Sequence, residues 1–178
     1  MTVHYRRIFK HQQTGVATIK ELLQSMFIGE LLQTGQEIWL VSPWISNVVL
    51  IDNRTGNFDT LNPEWGRKEI RLIEVLLAFM LRGCKVNIFT REDEPSNIPF
   101  INGLKEGVHQ NFVDSLLNIK LSDKLHTKGL LLSKSLLMGS MNLTYNGLEM
   151  NDEWIQFSID PEDIAKTRLE FSMYTAGV

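Results

Sequence analysis

The sequence predicts an α/β protein with a mixed central sheet flanked by helices, forming one domain over residues 1–178. Two observations predict this class. In the first half of the chain, stretches with apolar residues three or four apart alternate with short apolar runs, which indicates helices alternating with buried strands. The second half then carries a run of strands followed by one last helix. A chain of this length can also bury a sizeable core.

The first three elements are read from periodicity and from their stop signals. Residues 17–35 form an amphipathic helix that ends at Gly35. Residues 37–46 form a short buried strand closed by Pro43. Residues 47–66 are a polar loop of unusual length, which leaves two alternatives open, a substrate lid or plain surface.

The middle of the chain repeats the alternation of helix and strand. Residues 67–83 are predicted as a helix with Gly83 as its C-terminal cap. Residues 84–91 follow as a second strand. Residues 101–117 are predicted as a helix, although two glycines weaken its helical propensity.

The last third of the chain is predicted to be mostly strand. Residues 126–133 and 135–142 form two strands with the turn at Lys134. Residues 153–159 form another strand. The last helix starts at Pro161, a favoured first helical residue, with acidic residues in its first turn.

Composition narrows the function classes. The formal net charge is −3, which argues against a large nonspecific surface for polyanions. One cysteine, Cys84, excludes an internal disulfide and suits a reducing compartment. The N-terminus lacks the apolar core of a signal peptide, and no apolar run reaches the roughly 18 residues of a membrane span. The chain is therefore expected in the cytoplasm, away from membranes.

Residues 126–142, HTKGLLLSKSLLMGSMN, place polar side chains at the ends of two apolar strands. On a strand, alternate side chains share a face, so His126 and Lys128 are predicted to point the same way. The next strand returns antiparallel and brings Ser140 and Asn142 to the same pole. One nucleophile, one cation and two hydrogen-bonding side chains can grip and attack a tetrahedral phosphate. No carboxylate cluster accompanies them, so the predicted chemistry uses neither metal nor cofactor.

This pattern resembles the motif of the phospholipase D-like superfamily, which is H-x-K-x4-D, then G-S-x-N, then N-x-E. The matching residues are His126, Lys128, Gly139, Ser140, Asn142, Asn151 and Glu153. The resemblance implies a phospholipase D/nuclease-like fold. It also implies a phosphodiesterase that forms a phosphohistidine on one histidine while a second histidine protonates the leaving oxygen. One position departs, because Ser133 stands where the family has aspartate.

The resemblance assigns catalytic roles to His126, Lys128, Asn142, Ser140 and Glu153, with Glu153 holding the far nitrogen of His126. The chain carries one copy of the motif, so a working site requires a homodimer with both His126 residues facing across a two-fold axis. Plainer alternatives are a core histidine, a carboxylate at the rim of the site and a serine that caps a turn. Ser133 lies an odd number of residues from His126 and is expected to face away from it.

Substrate binding is predicted at Trp44, Lys124 and Asn151, although Trp44 is equally well explained as a buried anchor. Residues 120–134 carry four lysines and one acid, which favours an anionic ligand. Nucleic acid is the first choice, as in an endonuclease or DNA-processing enzyme, including those of bacterial defence systems, and the low net charge favours delivery by a partner protein. The alternatives are a phospholipid or small-molecule phosphodiesterase and a catalytically silent dimeric nucleic-acid-binding module.

Overall fold

The structure is a computed structural model that describes residues 5–11 and 14–176. The described part contains four α-helices: α1 Val16–Leu32, α2 Leu72–Met80, α3 Ile98–Gln110 and α4 Pro161–Ala176. It contains nine strands: β1 Tyr5–Lys10, β2 Glu37–Val41, β3 Val49–Asp52, β4 Glu69–Arg71, β5 Lys85–Thr90, β6 Leu117–Leu121, β7 Gly129–Leu131, β8 Leu136–Gly139 and β9 Glu153–Ser158.

Seven of these strands form one mixed sheet in the order β1-β9-β8-β7-β2-β5-β6. The neighbours from β1 to β2 are all antiparallel, whereas β2, β5 and β6 run parallel. The predicted fold class, a mixed central sheet flanked by helices, is confirmed. Four strand termini lie together at one end of the strands: the end of β2, the start of β7, the end of β8 and the start of β9. We call this end of the sheet the upper edge.

Helices cover both faces of the sheet, as the alternation of side chains along the strands requires. On one face, α1, α2 and α3 pack against residues such as Ile38, Leu40 and Val86. On the other face, α4 packs through Ile164 and Phe171 against Trp39, Val41, Leu131 and Leu136. Among the described residues, no helix is long and apolar enough to cross a membrane.

Two strands of the main sheet escaped the sequence analysis. Strand β1 reads YRRIFK, which has no run of apolar residues, but it pairs along its length with β9 as the outermost strand of the sheet. Strand β6 overlaps the end of the helix predicted over 101–117. That helix ends at Gln110, because Phe112 adopts a left-handed φ of 57° that no helix can continue through.

The stretch predicted as a loop over 47–66 and the start of the helix predicted over 67–83 form a two-stranded hairpin of β3 and β4. Trp65 is buried in the core, and the Arg82 guanidinium donates to the carbonyl of Leu61 beyond the end of α2. Arg82 also donates to the carbonyl of Leu31 at the last turn of α1, 2.8 Å away. The hairpin therefore packs towards the lower ends of α1 and α2, and this placement favours the plain-surface alternative over a lid.

Candidate active site

His126 and Lys128 lie at the upper edge but not on a strand. Strand β7 begins only at Gly129, so the prediction that these residues share one face of a strand is wrong. The ammonium of Lys128 instead folds back and donates to the backbone carbonyl of His126 at 2.8 Å. The side chain of Lys128 therefore contacts the backbone of His126 and not its imidazole ring.

Strand β7 does not extend back to His126, because the two neighbouring strands stop pairing with it at Gly129. Strand β2 stops at Val41, opposite Gly129, and the next turn contains Pro43, which has no N–H to donate. On the other side, Gly139 closes β8 with a φ of 155°, and a Cβ there would lie 2.2 Å from the carbonyl oxygen of Trp154. Only glycine fits that close approach.

Asn142 is anchored to the turn that follows β2. Its Oδ1 lies 3.2 Å from the hydroxyl of Ser42 and 3.4 Å from the backbone N–H of Trp44, and both groups donate to it. Because the amide oxygen takes these contacts, the amide nitrogen of Asn142 is the group left to bind a ligand. Ser42 was missed by the sequence analysis, since its contact with Asn142 spans 100 residues of chain.

Glu153 is the centre of a second group of predicted site residues. The hydroxyl of Ser140 donates to one carboxylate oxygen, and the side-chain amide of Asn151 donates to the other at 3.4 Å. Ser140 also accepts a 3.0 Å hydrogen bond from the N–H of Trp154. Glu153 is 9% exposed, so its carboxylate depends on these donors rather than on bulk water.

A small cavity of about 20 Å³, lined mainly by apolar side chains of the core, lies next to the two groups. Its lining includes Ser42 from the turn after β2, Lys128 and Gly129 at the start of β7, and Met138 and Gly139 at the end of β8. Ser42, which lines this cavity, is hydrogen-bonded to Asn142, and Ser140 directly follows Gly139 in the chain. The structure therefore brings Lys128, Ser140, Asn142, Asn151 and Glu153 to one neighbourhood at the upper edge.

Three predicted site residues lie more loosely in this neighbourhood. His126 is exposed, and within residues 5–11 and 14–176 its ring makes no hydrogen bond, including none to Glu153. Lys124 is exposed in the turn after β6. Trp44 is half-buried, and its contacts with Ser42 and Asn142 are made by its backbone.

Thr127, the residue between His126 and Lys128, is held from α4. The hydroxyl of Tyr174 donates to the Thr127 hydroxyl at 3.1 Å, and the Tyr174 ring stacks on Phe89 with 4.3 Å between ring centroids. Sequence analysis assigned no role to Tyr174, because its spacing in α4 is that of an ordinary core residue. In the described part of the chain, no cluster of three His, Cys, Asp or Glu side chains could hold a metal ion.

Comparison with known proteins agrees with this geometry. A family model described as cardiolipin synthase, PLD-like domain, matches residues 27–174. Among solved structures, the phospholipase D family member Nuc from Salmonella typhimurium superposes with a TM-score of 0.58 at 14% identity, covering 94% of this chain and 91% of Nuc. NucT from Helicobacter pylori gives a TM-score of 0.55 at 14% identity, covering 97% and 94%.

A third similar structure is TrmBL2, described as an archaeal chromatin protein with a novel mode of DNA binding. It superposes with a TM-score of 0.54 at 15% identity, covering 98% of this chain and 52% of TrmBL2. Comparison with curated protein sequences finds no match. The fold is thus that of phospholipase D and its nuclease relatives. The chain belongs to the phospholipase D-like family, and this membership supports an enzyme of the phosphodiesterase type.

Proposed function

We propose that the protein is a metal-independent phosphodiesterase that cleaves nucleic acid at a site shared by two copies of the chain. The observation that carries the proposal is the grouping of polar side chains at the upper edge, where Lys128, the Asn142 amide held by Ser42, and the Ser140–Glu153 pair all lie next to the ends of β2, β7 and β8. This set supplies a cation and neutral donors for phosphate oxygens, next to one exposed imidazole.

In the proposed reaction a ring nitrogen of His126 attacks the phosphorus and forms a P–N bond while the bond to the leaving oxygen breaks. The leaving oxygen takes a proton from His126 of the partner subunit and departs as an alcohol. Water then attacks the phosphorus, gives a proton back to that second imidazole and breaks the P–N bond. The products are one alcohol and one phosphomonoester, and no metal or oxidant enters the balance.

Glu153 is proposed to accept a hydrogen bond from the other ring nitrogen of His126. It is a buried acceptor at the same edge, already supported by Ser140 and Asn151. A carboxylate in this role fixes the tautomer of the imidazole and stabilises the imidazolium that forms. The exposed ring of His126 is expected to turn towards Glu153 when the second subunit and the substrate close the site.

The proposed dimer contact is the outer face of β1 and β9, which is the face opposite α1. Tyr5, Phe9 and Trp154 are 50%, 62% and 42% exposed there, an apolar patch that a lone subunit leaves uncovered. Phe9 pairs with Trp154 in the β1–β9 ladder, and Trp154 directly follows Glu153. The patch therefore continues into the candidate site.

A second copy of the chain carries a matching surface on α4. Leu169 and Met173 are exposed on the outer side of this helix, next to exposed Glu170, whereas the patch on β1 contains exposed Arg7. Packing α4 of each subunit on the patch of the other would cover apolar side chains on both and bring Arg7 of one subunit near the oppositely charged Glu170 of the other. A two-fold axis along the strands would keep both upper edges at the same end, as facing His126 residues require.

Nucleic acid is the proposed substrate, and the cytoplasm is the proposed compartment of this one-domain chain. Lys128 places positive charge at the upper edge, Lys124 is exposed four residues before it, and DNA binding is stated for the structurally similar TrmBL2. Such charge in an acidic protein suits a local contact with a phosphate backbone. Delivery by a partner protein and a role in bacterial defence remain part of this proposal.

The test is cleavage of single- and double-stranded DNA in EDTA, with a phospholipid substrate assayed in parallel. We expect DNA cleavage without added metal, and a loss of roughly a thousandfold or more in the His126→Asn variant with DNA binding retained. His109→Asn, a change of an exposed histidine on α3, is the matched control. Mass spectrometry should find an acid-labile phosphoryl group on His126.

Other results would reject the proposal. A requirement for an added divalent metal would contradict the mechanism. Hydrolysis of the phospholipid with no action on DNA would assign the lipid alternative. DNA binding with no turnover, unchanged by His126→Asn, would identify a silent binding module.

A further inference from the structure

A lysine ammonium is buried beside the candidate site, without a hydrogen-bond partner in the described part of the chain. Lys10, the last residue of β1, is 0% exposed, and its Nζ finds no partner among the described residues. An unpaired ammonium inside a protein is strongly unfavourable, because it has lost its water without gaining an acceptor. Such violations of ordinary packing rules concentrate at functional sites.

The pairing of β1 with β9 places Lys10 directly opposite Glu153. Residues opposite each other in an antiparallel pair point to the same face, with Cβ atoms about 5 Å apart. The next pair along this face is Ile8 and Ile155, and both are buried in the core beneath α1. Lys10 is therefore a buried cation on the same face of the sheet as the Glu153 carboxylate.

Within residues 5–11 and 14–176, the other elements around Lys10 place no further carboxylate against it. Helix α1 closes over it at Gly15, where a Cβ would lie 3.3 Å from the Lys10 Cα, and the first turn of α1 contains no acidic residue. Glu149, in the turn before β9, is taken up by the ammonium of Lys20 at 2.7 Å. Glu153 is the acidic side chain that shares the buried face with Lys10.

We propose that Lys10 is a positioning residue of this site. Its buried ammonium makes no hydrogen bond to Glu153, but its positive charge on the same face of the strand pair favours one position of that carboxylate, so that Glu153 can in turn orient His126. The inference rests on the proposed function, because Glu153 has a role to support only if His126 is the nucleophile.

The test is Lys10→Met, which keeps the length of the side chain and removes its charge. Because Glu153 is no longer held, kcat should fall, from about tenfold to as much as about a hundredfold, with little change in KM. Lys105→Met, a change of an exposed lysine on α3, should alter neither quantity.

A double variant separates an action through Glu153 from a general effect. In the Glu153→Gln background, Lys10→Met should cause no further loss of kcat, because the group on which it acts has already gone. Independent, multiplying losses would overturn the proposal. If the Met variant does not fold, Lys10→Gln serves for the same comparison.

The remaining outcomes are distinct. Unchanged kcat in Lys10→Met, alongside a large loss in His126→Asn, overturns the role of Lys10 and leaves the proposed function standing. No turnover by the unaltered protein overturns both.

Discussion

Ser133 and Glu30 are joined by two hydrogen bonds at the end of β7 that lies away from His126. The Ser133 hydroxyl and backbone N–H donate to Oε2 of Glu30 at 2.7 and 2.9 Å. The other oxygen of Glu30 accepts from the N–H of Gly35 at 2.8 Å. A carboxylate thus stands at the Ser133 junction, although it comes from α1 rather than from the motif position. The motif departure therefore lies at the opposite end of β7 from His126 and is filled by a contact with α1.

Restoring the family's aspartate should therefore harm the protein. Ser133→Asp places a second carboxylate against the buried Glu30, and like charges at this distance repel. We expect a loss of about 2 kcal/mol or more in urea unfolding, compared with about 1–3 kcal/mol for Ser133→Ala. Adding Glu30→Ser to Ser133→Asp should recover much of the loss. Equal stability of Ser133→Asp and the unaltered protein would show that the introduced carboxylate and Glu30 do not repel each other.

Tyr174 should matter for turnover although it lies on α4. Tyr174→Phe keeps the stack on Phe89 but removes the hydrogen bond to Thr127, which costs about 1 kcal/mol of stability. Because Thr127 lies between His126 and Lys128, kcat should fall several-fold with KM nearly constant. Tyr145→Phe, at an exposed position, is the matched control. If the two variants behave alike, Tyr174 has only a packing role.

Asn142 is expected to act through its amide nitrogen. Asn142→Asp replaces that donor with a charged oxygen, which repels phosphate, so kcat/KM should fall by at least about a hundredfold. Ser42→Ala should give a smaller loss, because the amide stays but is held less firmly. Ser25→Ala, on the exposed side of α1, serves as reference. Full activity of Asn142→Asp would remove this residue from the site.

The proposed dimer contact predicts a paired charge effect. Arg7→Glu should weaken association measured by analytical ultracentrifugation, since it would face Glu170 of the partner subunit. Adding Glu170→Arg should restore association. Phe9→Glu should also dissociate the dimer, whereas Leu81→Glu, an exposed change at the end of α2, should not. A dimer that survives Phe9→Glu would place the contact elsewhere.

Burial raises the pKa of the Cys84 thiol to about 12 from its ordinary 9.0, and the charges of Glu30 and Glu37 add to the effect. Thiol reagents should therefore react only with unfolded protein at pH 8. Above about pH 9 the unfolded thiol loses its proton while the folded thiol keeps it, so the free energy of unfolding should fall as pH rises towards 12. In Cys84→Ala this part of the pH dependence should disappear.

The sequence by itself determined the fold class and the upper-edge residues. Apolar periodicity is local, so it indicated α1, α2, β2, β5 and α4 close to where they occur. The H-x-K, G-S-x-N and N-x-E spacings are also local, and they placed Lys128, Ser140, Asn142 and Glu153 in one neighbourhood of the folded chain.

Tertiary structure alone decided what supports that site. Strand β1 is recognisable only by its pairing with β9, which lies more than 140 residues further along the chain. The contacts of Asn142 with Ser42, of Thr127 with Tyr174 and of Ser133 with Glu30 likewise join distant segments. No local pattern encodes such contacts, because they arise from how strands and helices pack after each has formed. The unpaired ammonium of Lys10 belongs to the same group, since a lysine at the end of a basic strand gives no sign that folding will bury it.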